Sequence, residues 1–533
     1  MDASEAVTPK NDNQQIARAA GTIMVAMIVG QVLSLVSSML ITRVFGTSDQ
    51  NDAYTAANVL PTIVFSLVAG GALASAFVPT FTALLTQGKR ETAWKLASAI
   101  ANLVTLILVV ICCITALFAP WVVHNILAPH FDPAKVTLTA SLLRIQLCSP
   151  IIFGISGLLM GILNAHQSFL WPALAPAMFS FGKILGVLLF VPHWGVQGLS
   201  WGVVLGASLH ALIQIPALLH LPERRYTLGL GLHLPEVRDV AKLMGPRLLG
   251  VSIVQLNFLI NNAIASAWTG AVVVINVAFA MMLIPEAFIA QATAIAALPT
   301  FSAQVARGKP DEMRSSLAML LRAVLSLALP ATLGLILLRQ PLIALIYQHG
   351  VFTAYSTALV SWALLWYASG LVFHSVVEIV SRAFYALHDT KTPVLVGVVA
   401  MSFNIGFSYL FSWLFGLLGW QPFGGIALAN TLATGLEMGG QLFFMRRRLG
   451  GLHLKLIGEG FLKAALATLV MSAALWGWLI LTSGHSFWLI SLGGVAIGGL
   501  VYLGMLHIVK APELQLLSSL LKRLLRGNHK LAS

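Results

Sequence analysis

Charge is scarce in this chain: Asp, Glu, Lys and Arg make up 9% of its 533 residues, against 58% hydrophobic ones. A water-soluble domain carries roughly 25% charged residues, so too little charge is present to cover a soluble surface. Cysteine is rarer still. Cys112 and Cys113 adjoin in one apolar run and Cys148 lies in another, a spacing that suits no metal site and reads as small apolar filler within helices. Residues 1–17 are polar and lack the basic stretch, short apolar core and cleavage site of a signal peptide. The first apolar span is therefore expected to stay in the mature protein. There is no GxxxxGK[ST] nucleotide motif, and no Ser/His/Asp arrangement or metal-ligand cluster stands out among the 14 histidines. These absences point away from an enzyme, a resident cofactor or a nucleotide partner. Any energy source is then an ion gradient (Na⁺ or H⁺), the membrane potential, or mass action on a substrate.

What is abundant is apolar sequence in runs of about twenty residues, each long enough to cross a hydrocarbon core of about 30 Å. The pattern predicts an all-α integral membrane protein with about fourteen spans. They fall near 18–44, 55–84, 94–122, 138–163, 171–192, 197–220, 240–267, 271–299, 314–338, 355–386, 393–416, 422–445, 459–482 and 486–509. The net charge of +13 invites a nucleic-acid reading, but the charges are placed by topology. Lys10, Arg18, Lys89, Arg90, Arg224, Arg225, Arg307, Lys309, Lys391, Arg446, Arg447 and Arg448 fall on one side, with little beyond Arg43, Lys135 and Arg339 on the other. Lys/Arg excess in short loops marks the cytoplasmic face of a bacterial inner membrane, so both termini are expected inside. Residues 511–533 form a basic amphipathic tail suited to anionic membrane lipid.

The chain also repeats itself at a displacement of roughly 220 residues. Pro79-Thr80-Phe81-Thr82-Ala83 with Gly88-Lys89 recurs as Pro299-Thr300-Phe301-Ser302-Ala303 with Gly308-Lys309. Asn164-Ala165 and Pro172 recur as Tyr385-Ala386 and Pro393, and Gly198 recurs as Gly425. Six spans per copy is an even number, so the copies are parallel repeats, a transporter layout in which two bundles enclose a cavity and rock about it. The organisation read from this is a cytoplasmic tail at 1–17, an N-lobe at 18–220, an inter-lobe linker at 221–239 and a C-lobe at 240–448. Two further spans at 449–510 and the tail at 511–533 follow. Pro61, Pro79 and Gly70-Gly71 in span 2, with Pro285 and Pro299 in span 8, predict bent helices there.

Several stretches resemble one family. RVFG, NDAY, LP and AFVPTF between Arg43 and Phe81, LLRI at 142–145, ILNA followed by FLWPALAP at 162–176, and MGPRLLGVS at 244–252 are similar to the MurJ (MviN-type) lipid II flippases. HGVFT at 349–353 and SRAFYALHDTKTP at 381–393 match family signatures in the same order. The resemblance implies the multidrug/oligosaccharidyl-lipid/polysaccharide exporter superfamily, and a role in moving an undecaprenyl-pyrophosphate-linked peptidoglycan precursor to the outer leaflet. Similar members carry cavity arginines and acids that align here with Gln31, Ser37, Ser38, Phe65, Ser66, Gly70, Phe279, Ala280 and Leu283, and a span-7 Asp that aligns with Asn261. Asp52 is kept. The departures leave open an exporter of another lipid-linked glycan or amphiphile, a cation-coupled drug exporter, and a non-transporting scaffold.

The ionisable groups at membrane depth are then the candidates, since each such charge costs at least about 2.5 kcal/mol on insertion scales and must face protein or water. Lys183 lies midway along span 5, where it suits a phosphate or a buried pair with a glutamate. Arg247, Arg382, Asp52 and Gln31 complete the expected substrate contacts. Glu286, Glu378 and Glu437 are the candidate coupling or inter-lobe charges. Asn261, Asn404, Thr431 and Thr434 could offer oxygens to a weak Na⁺ site, or serve as polar bonds between helices. Asp389 and Thr390, before Thr392 and Pro393, read as a turn and cap for span 11.

Overall fold

A computed structural model describes residues 10–68, 72–222 and 224–511, with side-chain surroundings also left aside at 10–25, 68, 72–75, 246–247, 249–251 and 253–254. The tail at 512–533, Gly70 and the side chain of Arg247 fall outside that description. The described residues are mostly helical and contain no strand. It divides into two compact units, residues 1–272 and 273–533.

The first unit holds α1 (Lys10–Phe45), α2 (Asp49–Ala57), α3 (Val59–Val68), α4 (Ala72–Thr86), α5 (Arg90–Leu117) and α6 (Ala119–Val122). It continues with α7 (Pro133–Gln146), α8 (Cys148–Ala165), α9 (Leu170–Leu185), α10 (Val191–Trp194), α11 (Val196–Leu212), α12 (Ile215–Leu219) and α13 (Pro235–Ala265). Phe77, Phe81, Leu96, Ile100, Ile162 and Val240 belong to one of its cores. Helix starts follow capping chemistry. The Asp132 carboxylate accepts the Lys135 N–H at 3.0 Å, and Pro133 occupies the first turn, where its missing N–H costs nothing. The linker after α12 is strapped to α5, because Asn102 Nδ2 donates to the carbonyls of Thr227 (3.1 Å) and Gly229 (2.9 Å).

The second unit holds α14 (Ala271–Glu286), α15 (Ala292–Ala306), α16 (Pro310–Tyr347), α17 (Ala354–Ala368) and α18 (Leu371–Ala386). After these come α19 (Lys391–Leu417), α20 (Phe423–Arg448), α21 (Leu454–Leu481) and α22 (Phe487–Ile508). Phe301, Leu317, Leu321, Val380, Phe384 and Met445 form its main core, and Leu338, Met471, Leu475 and Tyr502 a second one under α21 and α22.

Among the described residues ten helical runs are long and apolar enough to cross a membrane, and α17 with α18, bent by 46°, makes an eleventh if taken as one span. The expected spans at 55–84, 240–267 and 422–445 are helical but shorter or more polar, since α2–α4 is broken, α13 begins among charges and α20 carries Asn430, Thr431, Thr434 and Glu437. On α5, Leu106, Ile107, Val110, Ile111 and Ile114 are all exposed, and Leu466, Leu469, Trp476 and Ile480 do the same on α21. Apolar stripes of this extent have no place in water and face hydrocarbon.

The sequence repeat is a backbone repeat. Gly88 (φ +74°) and Gly308 (φ +67°) end α4 and α15 in the left-handed region. At each, the glycine N–H donates three residues back, to Leu85 or Val305, and the following lysine N–H donates five back, to Leu84 or Gln304. Both are Schellman caps. Gln167 (φ 59°) and His388 (φ 56°) end α8 and α18 with the same pair of bonds, to Asn164 and Leu163 or to Tyr385 and Phe384, although neither is glycine. Phe81 and Phe301 are both wholly buried in their own cores. Both spans expected to bend carry a backbone irregularity. Span 2 is split at Asn58, and span 8 carries a π-helical turn, Ala287–Gln291, directly after Pro285-Glu286. Such turns relieve a proline's missing hydrogen bond and bend the axis.

Candidate functional site

In the first unit the site is built on α9. A Cβ on Gly182 would lie 2.2 Å from the Gly206 Cα, and one on Gly186 2.4 Å from the Gly202 Cα, so α9 and the π-helical turn that continues it, Gly186–Phe190, touch α11 backbone to backbone. With Gly182 committed to α11, Lys183 is turned about 100° away around the helix axis. Its ammonium lies 4.8 Å from the centroid of Phe179, one turn earlier. Among the described residues no carboxylate pairs with it. With only a ring face beside it among the described residues, the ammonium can meet an incoming anion without displacing a carboxylate.

Phe179 belongs to an aromatic cluster with Phe153 (5.2 Å) and Phe65, whose ring lies 4.5 Å from Phe153. His210 meets Phe65 and Phe153 edge to face at 5.8 and 5.4 Å. It is fully buried on α11, with Nδ1 at 2.7 Å from Ser156 Oγ, which also accepts from Gln214 Nε2 at 2.7 Å. Thus Phe65 packs among aromatic rings. Gln31 is exposed on α1, and Ser37 is buried there.

Asp52 is wholly buried. Its Oδ2 is 3.0 Å from Lys135 Nζ and accepts the Gly270 N–H at 2.6 Å, while Lys135 also reaches Asp49 Oδ1 at 2.7 Å. The pair joins α2, α7 and the turn after α13. Gly270 (φ +75°) makes this close approach possible, since a Cβ there would sit 2.7 Å from the Thr47 carbonyl oxygen. Asn261 donates to Asn257 Oδ1 at 3.2 Å on the same helix.

In the second unit each of the three candidate glutamates has a local partner. Glu378 and Arg382 form an i,i+4 ion pair at 2.7 Å, and the guanidinium lies 5.7 Å from the Tyr385 ring. Glu286 accepts from Gln291 Nε2 at 2.8 Å across the π-helical turn. Glu437 accepts from Gln441 Nε2 at 3.0 Å, and Gln441 Oε1 accepts from Ser381 at 3.1 Å, which ties α20 to α18. Thr431 Oγ1 donates to the Trp366 carbonyl at 2.7 Å, and Thr434 Oγ1 to the Asn430 carbonyl at 2.9 Å. His374 Nε2 lies 3.2 Å from Asn430 Oδ1 and 3.3 Å from Thr434 Oγ1. Asn404 is fully buried and accepts from Ser408 at 3.4 Å. Phe279 meets Tyr367 (5.2 Å) and His374 (6.1 Å) edge to face.

The two histidines and Lys135 are the functional-site neighbours that sequence reasoning missed. A lone histidine on an apolar face carries no signal. Asp49 and Asp52 facing Lys135 did carry one, since Lys135 is one of few basic residues on the charge-poor side.

Comparison with known proteins gives a consistent answer. The family model described as lipid II flippase MurJ matches residues 41–493. The chain is similar to the lipid II flippase MurJ of Burkholderia cenocepacia, 30% identical over 444 residues that cover 82% of this chain and 84% of that one. It is similar to the probable lipid II flippase MurJ of Vibrio cholerae at 28% over 505 residues, covering 91% and 93%. Among solved structures it resembles a lipid II flippase MurJ in an inward closed conformation, with a TM-score of 0.79, 25% identity and coverage of 91% and 98%. An inward-facing MATE-family multidrug transporter shares the fold, with a TM-score of 0.66 at 16% identity over 80% and 98% of the chains.

Proposed function

The chain belongs to the lipid II flippase MurJ family, and from that premise we propose that it carries lipid II from the inner to the outer leaflet of a bacterial inner membrane by alternating access. The observation that carries this reading is the unbroken match over residues 41–493, which takes in both repeats rather than a shared motif. The Lys/Arg distribution supports cytoplasmic termini. The energy source we assign is an ion gradient or the membrane potential.

Lys183 is the residue we assign to the substrate's pyrophosphate, because it is a half-buried cation with no carboxylate of its own among the described residues. Arg382 is already held by Glu378, and Asp52 by Lys135, so their part in this reading is to position helices. The test is complementation: cells depleted of their own lipid II flippase are supplied with this chain, and growth and outer-leaflet lipid II are followed. Rescue supports the reading. A correctly inserted chain that fails to rescue rejects it.

A second reading is favoured by the aromatic groups at Phe65 and Phe279, which suit sugar-ring stacking better than a second anionic contact. It is export of a different lipid-linked glycan by the same route. Accumulation of another lipid-linked saccharide on deletion of the gene, with lipid II unchanged, supports it.

A further inference from the structure

Between α16, α18, α20 and α21, wholly inside the second unit, lies a cavity of about 470 Å³. That size falls in the range of about 300–1,000 Å³ that holds a small ligand. Its walls are aliphatic and aromatic, with Leu325, Val376, Leu442 and Ile457 among them, and Arg446 is the one charged side chain in the lining. Arg446 begins the run Arg446-Arg447-Arg448 in the last turn of α20. The three arginines are differently engaged. The Arg447 guanidinium lies 4.3 Å from the Phe443 ring centroid, and Arg448 acts on the nearby Asp389 carboxylate. Arg446 is exposed and enters no ion pair among the described residues.

We propose that this cavity is a binding site for an anionic phospholipid, with an acyl chain between the four helices and the headgroup phosphate on Arg446. An apolar chamber cannot desolvate a glycan or a pyrophosphate. It does accept hydrocarbon, and the cation at its mouth sets the sign of the headgroup. The solvent around this bundle is lipid, so the occupant is available at high concentration without release from a partner. Basic pockets between membrane helices hold acidic headgroups by this combination. The site stands on the second unit alone and is independent of the lipid II reading.

Two neighbouring glycines supply a selective probe. A Cβ on Gly440 would meet Val396 Cγ1 at 2.8 Å, so Gly440 is needed for packing against α19. Gly439 lines the cavity, and a Cβ there meets nothing within 4 Å. Gly439→Leu therefore fills the chamber while improving helix propensity.

The experiment is native mass spectrometry of the purified full chain, with palmitoyl-oleoyl phosphatidylglycerol and the matching phosphatidylcholine as probes. Wild type retains phosphatidylglycerol in preference. Arg446→Ala lowers that retention about fivefold, the worth of one basic residue near acidic lipid, and abolishes the preference. Gly439→Leu lowers it as well, and Arg448→Ala leaves it unchanged. Retention indifferent to both Arg446→Ala and Gly439→Leu overturns the proposal. So does displacement of phosphatidylglycerol by undecaprenyl phosphate, which would make the cavity a seat for the prenyl chain. Arg446 is a surface side chain, so its variant keeps the test decisive if Gly439→Leu fails to fold.

Discussion

Asp52 and Lys135 form an ion pair at 3.0 Å with exposures of 0% and 7%, and it pins α2 to α7 beside the turn that leads into α14. Neither charge has water to return to. Removing one partner of a buried pair costs about 3–5 kcal/mol. Lys135→Met strands the wholly buried Asp52, whereas Asp52→Asn leaves Lys135 still paired with Asp49 at 2.7 Å. Lys135→Met therefore lowers the unfolding temperature in detergent more than Asp52→Asn does. Equal, small shifts would contradict the latch.

The repeat predicts paired outcomes at Gly198 and Gly425. A Cβ on Gly198 would sit 2.5 Å from the Phe190 carbonyl carbon, and one on Gly425 2.4 Å from that of Phe411. In each unit the site is where two spans approach backbone to backbone. Alanine at either position destabilises by about 1–3 kcal/mol through overpacking, read as a lower unfolding temperature. Gly477→Ala, where nothing lies within 4 Å, is neutral or mildly stabilising.

This pairing shows how much was legible beforehand. The Gly198/Gly425 and Pro79/Pro299 correspondences are local, and each reports a backbone need that only a few residue types meet. They gave the repeat, and with Pro285 the irregularity in span 8. The position of the break at Asn58 was not legible, since the nearest marker, Pro61, lies three residues later inside α3. Nor were the partners of the buried charges. Lys183 meeting Phe179 rather than a glutamate, and Glu437 meeting Gln441, depend on helix rotation, which hydropathy does not encode. The Asp389–Thr390 turn was legible as a cap, but the capping oxygens are those of Asp389 alone.

Asp389 gives a pH prediction outside the membrane-spanning segments. Burial raises its pKa, and the Thr392 N–H (3.0 Å) and hydroxyl (2.8 Å), with Arg448 nearby, outweigh that and hold it below the ordinary value. A carboxylate with a depressed folded pKa contributes stability above its unfolded value of about 3.9 and loses it as pH falls through the folded one. The gap in unfolding temperature between wild type and Asp389→Ala should be present at neutral pH, worth about 1 kcal/mol as a lost cap. It should close in acid below that value. A gap that is constant across the range would assign the residue a purely steric role.

Lys183→Met should lower translocation about tenfold or more, the worth of one charge-assisted contact, with the unfolding temperature unchanged. Lys183→Arg is not expected to restore full activity, because a planar fork does not replace a point charge over Phe179. Unaltered transport by Lys183→Met would remove this residue from the site.

The most direct test of the central claim is translocation in vesicles that contain only this chain and fluorescent lipid II, with an ion gradient and a membrane potential imposed across them. The account predicts that lipid II crosses to the opposite leaflet faster than in protein-free vesicles, and that Lys183→Met returns the rate close to that baseline. Folded, correctly inserted protein that moves lipid II no faster than empty vesicles would contradict it.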